Sequence, residues 1–268
     1  MKGDTIIGVP FEAHPALRSL LQDGTPPDES AGDEITRRLF KIRSADTPGQ
    51  RGSASVLINR MYAHRGYLSS GLPAAPAPTR ITLVACEHEH TIGTITIEFD
   101  SPARLLVDEL FAQEAGQLRA AGRKLCEFTK LAMDSVVRSK RVLASLFHVA
   151  YIYAHRIKGH DDLLIEVNPR HVRYYENMLA FTVAGPARLN PRVNAPAVLM
   201  RLDFALAHDQ IERFGGRPQE AKTNRSLYPL FFSVAEEAGI VGRLKAAHSD
   251  ALPPPGFAAS GAGALPAR

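Results

Sequence analysis

The 268 residues contain only two cysteines, Cys86 and Cys126, and these lie far apart and outside any C-x-x-C spacing. That excludes a disulfide framework and argues against a structural zinc site, so a reducing compartment is expected. No stretch approaches the roughly 18 uninterrupted apolar residues of a membrane span. The opening from Met1 to Pro15 carries a single lysine and no long apolar region, so it does not read as a secretory signal, and a cytoplasmic location is expected. Neither G-x-x-x-x-G-K nor G-x-G-x-x-G occurs, which leaves nucleoside triphosphates and dinucleotides without support. No serine or cysteine sits in a nucleophile-elbow pattern. The net charge of +4 is too mild to imply nucleic acid. With 45% hydrophobic and 22% charged residues, the composition is that of an ordinary globular chain.

What is present is alternation. Ile81 to Ala85 and Thr91 to Phe99 alternate apolar with polar positions around Glu87-His-Glu-His90, which predicts a hairpin. His88 and His90 have no further ligand pattern, and no metal is expected there. Before the hairpin, Gly71 to Pro78 reads as a semi-rigid linker. Leu39 to Arg43 suggests a strand, and Ser55 to Tyr67 a helix. Ser101-Pro102 predicts a cap and first turn for a helix carrying Leu105, Leu106, Leu110 and Leu118 and ending at Gly122. Strand Leu125 to Met133, helix Ser139 to Ile157, strand Leu163 to Val167 and a helix from Asn168-Pro169 to about Ala180 form a βαβ crossover with parallel strands. Closing strands are expected over Phe181 to Leu189 and Ala197 to Phe204, then helices including Ser233 to Leu244. The fold class is α/β.

Three constellations bear on chemistry. Glu127 and Lys130 share one predicted strand; three residues apart they face opposite sides unless a bulge re-aims one of them. Glu127 then reads either as a general base toward an amine or as an ordinary sheet-face carboxylate paired to a lysine. Arg138, Ser139, Lys140 and Arg141 set cations around a helix N-terminus, against the dipole, which an anion or acidic partner would resolve; a solvated basic cluster is the plain alternative. Tyr175, seven residues after Asn168, is either a proton donor to a departing thiolate or an aromatic packed on the sheet.

The order of elements, with Asn168-x6-Tyr175-Glu176 and then Ala180-Phe181, resembles the GNAT acyltransferase superfamily. Two departures stand out: Ala180 replaces the usual glycine, with one extra residue before Phe181, and Met133 to Arg141 lacks the glycine-bearing loop that cradles the pyrophosphate of coenzyme A. Glu127-Phe-Thr-Lys130-Leu-Ala-Met-Asp134 and Met61-Tyr62-x4-Tyr67 are similar to segments of acyl-homoserine lactone synthases. The stretches Ser139 to His148, Ile165 to Val172 and Pro191 to Val198 resemble the related long-chain N-acyl amino acid synthases more closely.

This resemblance implies a GNAT-like mixed β-sheet flanked by helices, with a helical C-terminal extension. The chain divides into an N-terminal extension over 1–32, an acyltransferase domain over 33–206, the helical extension over 207–250 and a disordered tail over 251–268. The implied reaction moves a long acyl chain from an acyl carrier protein thioester directly to the amine of an amino acid. No tightly bound cofactor is implied, and the acyl-phosphopantetheine of the carrier protein is the co-substrate. Glu127 becomes the preferred base and Tyr175 the acid candidate, with amides of a bulged strand polarising the thioester carbonyl. Lys130, Arg138, Ser139, Lys140, Arg141, Asn168 and Arg170 become donor or carrier-protein contacts. Tyr62 with Arg60, or Arg43 in its place, would take the amino acid. The alternatives are an acetyl-CoA-dependent N-acetyltransferase and a non-catalytic module binding acyl groups or carrier protein.

Overall fold

The structure, a computed structural model, describes residues 5–11, 38–67, 71–73, 75–135 and 139–250. The predicted tail over 251–268 and Arg138 lie outside the described residues, as does all but Thr5–Phe11 of the expected N-terminal extension. That one stretch forms β1 and pairs antiparallel with β2 (Arg38–Ser44). The hairpin follows as β3 (Arg80–Glu87) and β4 (His90–Phe99), then β5 (Leu125–Met133) and β6 (Asp162–Val167). The sheet runs β1-β2-β3-β4-β5-β6-β9-β7, with β7 Thr182–Val183, β9 Ala195–Asp203, and β8 (Arg188–Asn190) paired beside β9. Every neighbouring pair is antiparallel except β5 and β6, the parallel pair predicted from the strand-helix-strand order.

Helix boundaries follow capping chemistry, and two differ from expectation. α1 (Pro48–Ala63) begins before the predicted Ser55, because Thr47 and Gln50 form a reciprocal capping box with Pro48 in the first turn. α2 (Asp108–Ala120) does not begin at Ser101-Pro102. Ser101 caps only a turn there, and the next turn breaks at Arg104, whose φ of +68° leaves the helical region. Asp108 then accepts from the Leu105 amide, and Gly122, at φ +79°, ends the helix as predicted. α3 (Lys140–Tyr151) starts at Ser139, whose hydroxyl accepts from the Val142 amide, and it continues as a wider π-helical turn over Ile152–Ile157. After Asn168 comes one 3₁₀ turn and then α4 (Val172–Leu179). Phe181 to Leu189 is broken rather than a single strand. Gly185 lies so close to Phe111 that a Cβ would sit 2.9 Å from its ring, and the chain parts there into β7 and β8.

The larger core lies between the sheet and α3, where Ile95, Ile97, Phe128, Leu146 and Met200 are buried. α2 and its N-cap cover the other face, Phe111 and Val107 clustering with Leu125 of β5 and Leu164 of β6. α5 (Phe204–Phe214) and α6 (Val234–Asp250) follow β9, and Tyr228, Phe231, Phe232 and Ile240 join the larger core. No helix among the described residues is long and apolar enough to cross a membrane.

Candidate active site

β5 and β6 pair at only three positions, from Leu125–Asp162 to Glu127–Leu164, and then continue to Met133 and Val167 without pairing. Their carboxyl ends therefore splay, and a cavity of about 550 Å³ opens at the divergence, with Phe128 to Leu131 on one lip and Ile165 to Asn168 on the other. A crevice at the carboxyl ends of parallel strands is where open α/β sheets bind ligands.

The strand chemistry depends on one bulge. Thr94 pairs with Ala132 and Thr96 with Thr129, so Ile95 alone opposes both Lys130 and Leu131. Lys130 takes φ +52°, and its carbonyl accepts from the Thr94 hydroxyl at 2.8 Å. This resolves the parity problem: Glu127 and Lys130 both line the cavity. Burial lowers the Lys130 pKa, and the nearby cations Arg80 and Arg192 lower it further.

Glu127 is only 1% exposed. It cross-pairs with Glu98 on β4, and Glu166 lies two residues beyond its β6 partner Leu164, so three carboxylates from adjacent strands meet. Burial, then the charges of Glu166 and Glu98, push Glu127 up to about 8, against the stabilising amides of Val107 and Leu106. The Val107 amide, at the start of α2, donates to its Oε2 at 3.1 Å. The flanking carboxylates are not bare. Arg80 donates to Glu98 at 2.6 Å, while Arg192 and Asn190 donate to Glu166 Oε2 at 2.6 and 2.5 Å. Arg192 also pairs with Glu109.

Tyr62, Arg65, Tyr67, Leu72 and Pro73 form one rim, so part of the stretch expected to be a plain linker borders the site. Arg51 holds it there by donating to the Pro73 carbonyl at 2.6 Å. Asn168, His171 and Tyr175 form the opposite rim. Arg170, exposed, donates to the Tyr67 hydroxyl at 3.2 Å and ties the two rims together. The phenols of Tyr62 and Tyr175 are both pushed up by burial. The inner wall is apolar, built from Ile95, Phe128, Phe147, Ile165 and Val167.

Of the residues singled out in the sequence, Glu127, Lys130, Tyr62, Asn168 and Tyr175 converge on the cavity. Ser139 caps α3, and Lys140 is exposed on its first turn. Three do not fit their expected parts. Arg60 is outside the lining and forms an ion pair with Asp134 at 2.7 Å. Arg43, on β2, is also outside the lining. Arg141 turns inward, donates to the Leu230 carbonyl at 2.9 Å and lies over the Phe232 ring, a packing role that removes it from the basic surface. Sequence reading passed over Arg80, Glu98, Glu166, Asn190 and Arg192. The available signal was charge inside apolar strand runs, as in Ile95-Thr-Ile-Glu98 and Leu163-Leu-Ile-Glu166. Among the described residues no group of three His, Cys, Asp or Glu side chains is arranged to hold a metal.

The profile of the N-acyl amino acid synthase FeeM family matches residues 53–203. Among solved structures, FeeM, an N-acyl amino acid synthase from uncultured soil microbes, superposes with a TM-score of 0.57 at 29% identity, covering 63% of this chain and 93% of that one. The acyl-homoserine lactone synthase LasI gives 0.46 at 11% identity, covering 62% of this chain and 91% of its own. A putative N-acetyltransferase from Lactobacillus plantarum gives 0.45 at 16%, covering 62% and 98%. No curated protein sequence matches significantly. The fold is the GNAT-like mixed sheet that the sequence led us to expect.

Proposed function

Since the chain belongs to the N-acyl amino acid synthase FeeM family and is an acyltransferase, we propose that it moves a long acyl chain from a carrier-protein thioester directly to the amine of an amino acid. The observation that carries this reading is Glu127, a buried carboxyl with a pKa of about 8 beside an apolar wall at the strand divergence. An amino acid's ammonium must lose a proton before it can attack, and a base titrating near 8 accepts that proton without holding it too tightly. The amine, having given its first proton to Glu127, bonds through nitrogen to the thioester carbonyl carbon; the C–S bond breaks as the tetrahedral oxyanion collapses, and the second nitrogen proton leaves with the sulfur as the carrier thiol. Amides of the bulged strand around Lys130 are the candidate oxyanion donors. Tyr175, kept neutral by burial, offers a hydrogen bond to the departing sulfur.

At the acceptor end, Tyr62 and the Lys130 ammonium suit an amino acid carboxylate, while Arg80 and Arg192 serve Glu98 and Glu166 and compensate the acidic floor of the site. Arg60, engaged with Asp134, drops out of this reading. For the donor, Met133 to Arg141 lacks the glycine loop of coenzyme A users, and exposed Lys140 and Arg170 suit an acidic carrier protein. We assign the catalytic unit to residues 33–206 and treat 207–250 as an extension. Mass spectrometry of lipids from cells expressing wild type and Glu127→Gln tests the reading. N-acyl amino acids with wild type alone are expected; equal accumulation with both would remove Glu127 from the base role.

A further inference from the structure

We propose that the segment after β9, which lies beyond the residues matched by the family profile, closes the far end of the acyl site and sets the longest acyl chain accepted. This rests on the acyl-transfer reading above. Phe128 and Phe147 wall the main cavity, with ring centroids 6.2 Å apart, and they also wall a second, entirely apolar space behind it. That space has room for only about 10 Å³, roughly one water molecule, and offers no polar partner to hold one. Its near walls come from the sheet, α3 and α4. Its floor comes from Ala207, Tyr228 and Phe231, all later than Asp203, where the profile ends.

The floor is anchored rather than loosely laid. The Tyr228 hydroxyl donates to the Leu179 carbonyl at 2.8 Å, and the Leu227 amide donates to Met178 at 2.8 Å. Phe231 stacks on His148 at 4.7 Å. His148, fully buried, accepts from the Phe232 amide on Nδ1 at 2.9 Å, so its Nε2–H donates to Glu237 of α6 at 3.1 Å. A chain passing Phe147 therefore meets a fixed wall, and acyl length is decided by side chains that lie beyond the residues matched by the family profile.

The test uses the full chain with N-acetylcysteamine thioesters from octanoyl to stearoyl. Each methylene that still finds apolar cover raises kcat/KM about fourfold, or roughly fifteenfold for a two-carbon step. Phe231→Leu is expected to move the point where this rise stops to a longer chain. Ala207→Val, whose two added methyl groups exceed that one-water space and crowd Phe147 and Phe231 across it, is expected to move it to a shorter one, and KM for the amino acid should hold in both. Displacement of cis-parinaric acid by free fatty acids of graded length, followed by fluorescence, reads the same profile without turnover. Unmoved profiles in both folded variants, or equal losses at every length, would overturn the inference while leaving transfer intact. If no thioester is turned over but displacement shifts in opposite directions in the two variants, the floor stands and the transfer reading fails.

Discussion

Glu127→Gln should make the protein more stable and less active at once, and the gain should depend on pH in a calculable way. The carboxyl moves from an ordinary 4.5 to about 8 in the fold, with burial as the main cause. A group whose folded pKa is raised favours the folded state fully below its unfolded pKa. That advantage is lost as pH rises through the folded value, because the unfolded chain releases its proton first. Between 4.5 and about 8 the wild type therefore loses about 1.4 kcal/mol per pH unit from this site. The accumulated cost is about 3 kcal/mol at pH 7 and nearly 5 kcal/mol by pH 9. Glutamine keeps the shape and an acceptor for the Val107 amide but has nothing to ionise. Urea unfolding at pH 4.5 and pH 9 should give nearly equal stability for both proteins at the acid end and a variant more stable by about 5 kcal/mol at the alkaline end. A stability difference that does not change with pH would refute the claim that Glu127 is a buried carboxyl protonated near neutrality, whatever the activity does.

Turnover should show the same group from the other side: kcat/KM is expected to fall about tenfold per pH unit below an apparent pKa near 8, and Glu127→Asp should move that limb while Glu127→Gln abolishes it. Ala180 holds the left-handed cap of α4 at φ +61°, so Ala180→Gly should stabilise by about 0.5–1 kcal/mol in thermal melts, despite the looser unfolded chain. His148→Ala should cost about 3 kcal/mol or more, because it opens a cavity, orphans the Phe232 amide and leaves Glu237 with Arg156 alone; a loss below 1 kcal/mol would mean the C-terminal segment is not anchored there. Charge reversal at Lys140 and Arg170 should weaken carrier-protein binding most at low salt in titrations, whereas Arg141→Glu should act mainly on stability by burying an unpaired carboxylate.

The local order of the chain was legible in the sequence because it depends on short-range rules. Period-two alternation marked β3 and β4; Ser139 marked the start of α3; and Gly122 marked the end of α2. Glu127 stood out as a carboxylate in an apolar strand, and motif order pointed to the acyltransferase family. The tertiary structure alone decided which charges meet. Register between separate strands brings Glu98 and Glu166 beside Glu127, and its own burial, then their charges, raise its pKa, a sum over neighbours that no local pattern encodes. The single-residue bulge that turns Lys130 into the same cavity is likewise a property of the β4–β5 pairing. Arg60 and Arg141 looked like binding residues until folding gave them Asp134 and Leu230 as partners, and those contacts join positions 74 and 89 residues apart. A side chain's charge is written in the sequence; whether that charge is free, paired or suppressed depends on the three-dimensional surroundings that desolvate or compensate it.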